Sequence, residues 1–357
     1  MILRTCTCAT EQTRHSRRGF LTGLAALGAG TILPGCESMP AGATPIAGKP
    51  HRIDIHHHIM PPAYVAESIK RGQPRPPQWS VQRSLEDMDK SGIATSVVAL
   101  MQPGAYYGEL DVDRRLAREA NEFAAQMARD FPGRFGSFAT LPLMDTEGSL
   151  REIEYAFDTL KADGIGLMTS YGTKYLGDPQ FAPIWEELNR RKAVIYTHPL
   201  SPACCRNPIP GLPPSAIEFA TDTSRTAASL LFTGAAARFP DIRWILSHSG
   251  GTVPFLWSRF TRQEVDMKDA AKKVLPNGVQ HEVRKFFYDT AQGHHDGAIA
   301  ALTKLVPVSQ VMFGTDFPYR VAGEVVEGLG ARTFTAAERM AIDRGNALRI
   351  LPNLRTA

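Results

Sequence analysis

Eight short apolar, β-branched stretches recur along this 357-residue chain, separated by longer segments of helical periodicity. They are RIDIH (52–56), ATSVVAL (94–100), RFGSFATL (134–141), GIGLM (164–168), AVIYTH (193–198), RWILSH (243–248), KFFYDTA (285–291) and SQVMFGTD (309–316). Segments such as DVDRRLAREANEFAAQMARDF, SLREIEYAFDTLKA and DTSRTAASLLFTGAAARF lie between them, with apolar residues three or four apart. Near-continuous apolar strands alternating with helices indicate βα units and parallel pairing. Eight such units close a (β/α)8 barrel, a TIM barrel, which is the fold expected here. An open doubly wound sheet is the alternative. Two long connections break the rhythm, residues 59–84 with PRPPQW and residues 199–215 with SPACCRNPIPGLPPS. They follow the first and fifth strands, on the side where barrel active sites are built.

The first 50 residues stand apart. RHSRRGFLTGLAALGAGTILPGC (14–36) places Arg17-Arg18 before an uncharged Ala/Gly/Leu run, the layout of a secretory signal. That run is too short and glycine-rich for a membrane span, which needs about 20 apolar residues. Ser16-Arg17-Arg18-x-Phe20-Leu21 also resembles a twin-arginine export signal, read by the twin-arginine export machinery. Leu33-Pro34-Gly35-Cys36 resembles a lipobox, which would put a lipid anchor on Cys36. Ala41-Gly42-Ala43 offers an ordinary cleavage site instead. The expected division is a signal segment at 1–36, a Pro/Ala/Gly-rich linker at 37–50 and a barrel at 51–357. The expected location is the periplasm, free or lipid-anchored. Residues 1–36 hold four arginines and one glutamate, so the formal charge of +4 falls to near +1 without them. Such a balance gives no case for a nucleic-acid partner. Of five cysteines only Cys204 and Cys205 lie beyond the signal region, so no disulfide framework holds the barrel together.

Polar residues close several strands. The first ends in His56-His57-His58, the fifth in Thr197-His198-Pro199, the sixth in Ser247-His248-Ser249-Gly250-Gly251 and the eighth in Gly314-Thr315-Asp316-Phe317-Pro318. Side chains alternate along a strand, so His56 and His58 share a direction and His57 takes the other. Ile53 and Ile55 have the parity of His57, which predicts a helix-facing side for them and an axis-facing side for Asp54, His56 and His58. Histidines from strands one and five and an aspartate from strand eight then converge on one barrel end, with His248 beside them. Nitrogen and oxygen donors of this kind suit one divalent metal ion, Zn²⁺ first and Mn²⁺ or Fe²⁺ next. A catalytic site keeps a coordination position for water or substrate. His294-His295 reads as a helix-start turn with Asp296 as N-cap and is left outside the site.

Asp54-x-His56-x-His58-x-x-Pro61, Thr197-His198-Pro199, His248-x-Gly250-Gly251 and Gly314-Thr315-Asp316-Phe317-Pro318, in this order, resemble the amidohydrolase superfamily. They are most similar to its branch of aminocarboxymuconate semialdehyde and hydroxybenzoate decarboxylases, and Gly345-Asn346-Ala347-x-x-Ile350-Leu351 fits that branch too. The resemblance implies metal ligands His56, His58, His198 and Asp316, with His248 and Asp316 as the catalytic pair. Gly164–Met168 offers no lysine for the carbamate-bridged two-metal site of other members, which favours a single metal. Arg259 matches a family arginine that binds the substrate carboxylate, sometimes across a subunit interface, and so implies a homodimer. Ser170-Tyr171-Gly172 with Tyr175–Pro179, and Ile217–Phe219 with Asp222–Thr226, resemble the 6-methylsalicylate decarboxylase group. The implied activity is metal-dependent, non-oxidative decarboxylation of a small ortho-hydroxybenzoate. A metal-dependent lactone or ester hydrolase would use the same ligands. The family's other substrate arginine finds no match in the first long loop, where Arg71 and Arg75 stand.

Overall fold

The computed structural model describes residues 50–356 apart from Asn207. The twin-arginine motif, Cys36 and residues 37–49 of the linker lie outside the described residues. Eight strands form one sheet in sequence order: β1 (Arg52–Ile59), β2 (Ile93–Leu100), β3 (Phe135–Thr140), β4 (Gly164–Met168), β5 (Val194–His198), β6 (Arg243–Leu246), β7 (Phe287–Asp289) and β8 (Val311–Met312). All seven neighbouring pairs are parallel. The last strand returns to the first: Ile55 N–H donates to Phe313 O (3.0 Å), Asp316 N–H to His56 O (2.8 Å) and His58 N–H to Phe317 O (2.8 Å). The barrel is closed, as the strand count predicts. No helix among the described residues is long and apolar enough to cross a membrane.

One apolar cluster fills the barrel, with Ile53 and Ile55 of β1, Val97 and Ala99 of β2, Phe138 of β3, Tyr196 of β5 and Met312 of β8. Ala347, Ile350, Leu351 and Leu354 of the C-terminal helices join it. Ile53 and Ile55 therefore face inward, contrary to the parity reading. The cause is a bulge: Asp54 pairs with Ser96 but His57 with Val98, so Ile55 and His56 together oppose Val97. An extra residue shifts the phase of alternation by one. Both isoleucines and both His56 and His58 then point inward, while Asp54 and His57 point out. Asp54 spans the β1–β8 seam, accepting from His56 N–H (3.0 Å), Thr315 N–H (3.0 Å) and Thr315 Oγ1–H (2.7 Å).

The first long connection carries two helices, Pro62–Lys70 and Val81–Lys90, the second capped by Ser80 Oγ accepting from Arg83 N–H. PRPPQW is the segment between them. The connection after β5 keeps its irregular character, with 3-10 turns at Ala203–Cys205 and Pro214–Ala216. An antiparallel pair, Ser170–Tyr171 with Lys174–Tyr175, follows β4.

At the opposite end of the barrel, Asp163 precedes β4 and accepts a hydrogen bond from Ser137 N–H (2.8 Å). Gly136 admits it, since a Cβ there would lie 2.6 Å from Asp163 Oδ2. Burial pushes the Asp163 carboxyl up to about 6, with the Ser137 bond opposing. A raised native pKa means the native state binds more protons than the unfolded chain, so this group's stabilising contribution is full in acid and fades as pH rises through about 6. Asp163→Asn is expected to remove that decline. The gap between the urea midpoints of variant and parent should widen in the variant's favour from pH 4.5 to pH 7.5; a constant gap rules the assignment out.

Candidate metal centre

The strand ends place His56, His58, His198 and Asp316 together, all buried, with ligand atoms within 4.8 Å of one another. His56 Nε2 lies 3.2 Å from His58 Nε2, and each lies 3.2 Å from Asp316 Oδ1. His198 Nε2 is 4.0 Å from the same oxygen. Donors bound to one ion at about 2.1 Å sit roughly 3–4 Å from each other, as these four separations do, so the cluster approaches the dimensions of a single coordination shell. Imidazole and carboxylate donors fit a divalent ion of the Zn²⁺ or Mn²⁺ kind. Nδ1 of His58 and of His198 has no hydrogen-bond partner among the described residues.

Protonation reflects the crowding. Burial disfavours charge on His56, but the carboxylates of Asp289 and Asp316 outweigh it and push His56 up to about 10. Burial holds His198 well below its ordinary value, helped by the neighbouring His58 and His56. Asp316 is also buried, yet the charge on His56 and hydrogen bonds from His248, His56 and His58 hold its carboxyl well below the usual range. His56 and Asp316 thus favour each other's charged forms. A cation bound there would compete with a proton on His56.

Asp289 is the residue that the strand-end reading passed over. Its Oδ2 accepts from His56 Nδ1–H (2.8 Å), which leaves Nε2 as the donor facing the centre. Its Oδ1 accepts from the backbone N–H of His248 (2.8 Å) and of Ala291 (3.0 Å). Gly314 makes the pairing possible, because a Cβ there would lie 2.9 Å from both Asp289 Cβ and His56 Cβ. The available signal was an acid closing the seventh strand, as Asp316 follows the eighth. Asp289→Asn is expected to weaken metal binding about 10–100-fold, the usual cost of losing a partner behind a ligand histidine. Competition with a chelator reads this directly, and unchanged affinity would remove Asp289 from the ligand's support.

His248 stands beside the four donors. Its Nε2 lies 3.5 Å from Asp316 Oδ2, the oxygen turned away from the other histidines. Gln292, exposed at the mouth, donates its side-chain N–H to the same oxygen. Asp316, His248, Ser249 and Gln292 have φ of 68°, 53°, 56° and 50°. Left-handed backbone at a non-glycine residue costs of order 1–3 kcal/mol and clusters at functional sites. Here it lets the chain turn at the strand ends and aim these groups inward. β6 and β8 stop at Leu246 and Met312, short of the predicted strands.

The structure does not bring Arg259 to the centre. It lies exposed on the helix Val253–Asp266 and forms no ion pair among the described residues. Arg71 is tied to Glu67 and Glu109, each at 2.8 Å. His294 and His295 stay outside the cluster, and Asp296 is the first residue of its helix rather than its cap. The stretches Ser170–Tyr175 and Ile217–Thr226 meet at buried Asp222, which accepts from Tyr175 OH (2.7 Å), Ser170 Oγ–H (3.4 Å) and Thr169 Oγ1–H.

The family profile described as "Amidohydrolase" matches residues 53–352. The chain belongs to the amidohydrolase family. Decarboxylase yanB of Aspergillus niger is 37% identical to this amidohydrolase over 326 residues, covering 84% of this chain and 87% of that protein. The 6-methylsalicylic acid decarboxylase of Penicillium expansum is 32% identical over 317 residues, covering 85% and 97%. Among solved structures, 5-carboxyvanillate decarboxylase of Novosphingobium aromaticivorans, complexed with manganese and 4-hydroxy-3-methoxy-5-nitrobenzoic acid, superposes with a TM-score of 0.77. It is 22% identical and covers 84% of this chain and 96% of its own.

Proposed function

We propose that this amidohydrolase is a divalent-metal-dependent, non-oxidative decarboxylase of a small ortho-hydroxybenzoate, with 6-methylsalicylate the first candidate substrate. The observation that carries this is the division of labour at Asp316, whose Oδ1 belongs to the three-histidine group while Oδ2 faces His248. A donor set with a non-ligand histidine at its edge supplies both halves of the reaction. The relatives named as decarboxylases, at 32–37% identity across most of both chains, support the same class.

The chemical difficulty is the electron pair left on carbon as CO₂ departs. A divalent cation held by His56, His58, His198 and Asp316 would stabilise negative charge on the substrate's carboxylate and phenolate oxygens. Three imidazoles and one carboxylate favour Zn²⁺, with Mn²⁺ as the other candidate, and metal analysis of the purified protein decides between them. The protein's own part is the proton that must reach the ring carbon. Asp316 is held as carboxylate by the donors aimed at it, so His248 is the acid and Asp316 orients it. The outward-facing Arg259 fits a substrate role only if a second protomer presents it, and a homodimer is therefore part of the proposal.

Incubation of metal-analysed protein with 6-methylsalicylate, other ortho-hydroxybenzoates and a lactone panel tests the reading. Metal-dependent CO₂ release from a hydroxybenzoate is expected; lactone cleavage without CO₂ would make the protein a hydrolase. In the same assay Arg259→Ala should raise KM about 10–100-fold, the scale of a lost charge-assisted contact, with metal content unchanged. An unaltered KM would remove Arg259 from the substrate site.

A further inference from the structure

The loop after β5 carries two thiols that the decarboxylation does not use. Cys204 and Cys205 end a 3-10 turn six residues beyond His198, at the barrel end that holds the metal centre. Cys205 N–H donates to Pro202 O (2.9 Å), and Ser201 Oγ–H donates back to Cys205 O (3.1 Å), so the turn closes on itself. This places the two sulfurs 2.6 Å apart. Cys204 is exposed and Cys205 half-buried. Arg225 reaches across from the helix Glu218–Phe232, its Nη2 lying 3.7 Å from Cys205 Sγ. Its other nitrogen, Nη1, lies 3.6 Å from Glu218 Oε2 and 3.8 Å from Asp222 Oδ1. A guanidinium beside an accessible thiol pair is the setting in which cysteines react rather than pack.

We propose that Cys204 and Cys205 are a reversible thiol–disulfide redox site whose oxidant is a low-molecular-weight disulfide of the glutathione type. Cys204, the accessible partner, attacks as thiolate. One sulfur of the incoming disulfide bonds to Cys204 Sγ, the disulfide's own sulfur–sulfur bond breaks, and the first small thiolate leaves. Cys205 then gives up its proton to solvent and attacks Cys204 Sγ, expelling the second small thiolate. The two electrons and two protons lost by the protein end in the two small-molecule thiols. The hydrogen bond with Cys204 pushes the Cys205 thiol up, despite Arg225, which leaves the first attack to Cys204. Adjacent α-carbons are about 3.8 Å apart, closer than ordinary disulfide partners, and tight disulfides of this kind are the readily reduced ones.

The test uses the full-length, metal-loaded protein. Trypsin releases residues 193–206 as one peptide holding both thiols and none of the other three cysteines. After exposure to oxidised glutathione and then iodoacetamide, the peptide is expected two hydrogens lighter and unalkylated. Dithiothreitol before alkylation should restore the doubly alkylated form. Cys205→Ser should instead trap one glutathione on Cys204, because the resolving thiol is gone. Full alkylation of the parent protein after oxidant would overturn the proposal, as would a stable glutathione adduct or a link between two chains.

Discussion

Replacing His58 by alanine is expected to abolish turnover and to lower metal affinity by at least about 100-fold, more than the loss of any partner behind a ligand. His58 is fully buried, with Nε2 3.2 Å from both His56 Nε2 and Asp316 Oδ1. Its removal leaves three donors around a gap that no neighbouring acid or histidine on β1 can fill. The control is the next residue back in the chain. His57 points away, its Nδ1–H donating to Asp54 Oδ2 (3.2 Å) and its Nε2 accepting from Ser84 Oγ–H (2.9 Å), with the ring stacked on Phe317 at 4.8 Å. His57→Ala should keep full metal stoichiometry and cost about 1–3 kcal/mol of stability through those lost bonds. Metal analysis and thermal melts of the two variants give opposite patterns if β1 is read correctly. Metal loss in both would mean that the centre tolerates no change in β1 and would void the distinction.

That contrast shows where sequence reasoning succeeds and where it stops. Strand count and the polar residues closing the strands pointed to the barrel and to His56, His58, His198, His248 and Asp316, because residue type at a strand end is visible in the chain. The direction of His57 was predicted correctly, but the directions of Ile53, Ile55 and Asp54 were not. A bulge is set by how β1 pairs with β2 and β8, and pairing is a tertiary property that alternation alone cannot reveal. Asp289 was hidden for a related reason. It bonds to His56, 233 residues away in the chain, and although an acid closes KFFYDTA, nothing local shows which histidine it meets. Asp222 joins two stretches that were singled out separately, and only the fold shows that they meet. Arg259 lies exposed on its helix, and nothing in its sequence neighbourhood shows that.

The proton donor provides the sharper test. His248→Asn is expected to lower kcat about 100- to 10,000-fold, the range for loss of a general acid, while metal content stays at the parent level. His248 is not among the four clustered donors; it approaches Asp316 Oδ2 at 3.5 Å and packs its ring beside those of His56 and His198, with centroids 4.9 and 5.5 Å away. Asp316→Asn should behave differently. It removes the charge that His56, His58 and His198 surround, so metal retention and turnover fall together. The pair of variants separates two mechanisms that share every residue. If Asp316 itself delivers the proton, asparagine at 316 supplied with excess metal stays inactive while His248→Asn retains turnover within a few-fold. If His248 is the acid, excess metal partly restores the Asp316 variant, and no amount of metal restores the His248 variant. Geometry favours the second outcome: Asp316 Oδ2 already accepts from Gln292 and faces His248, so a proton placed on that oxygen would set it against its own donors.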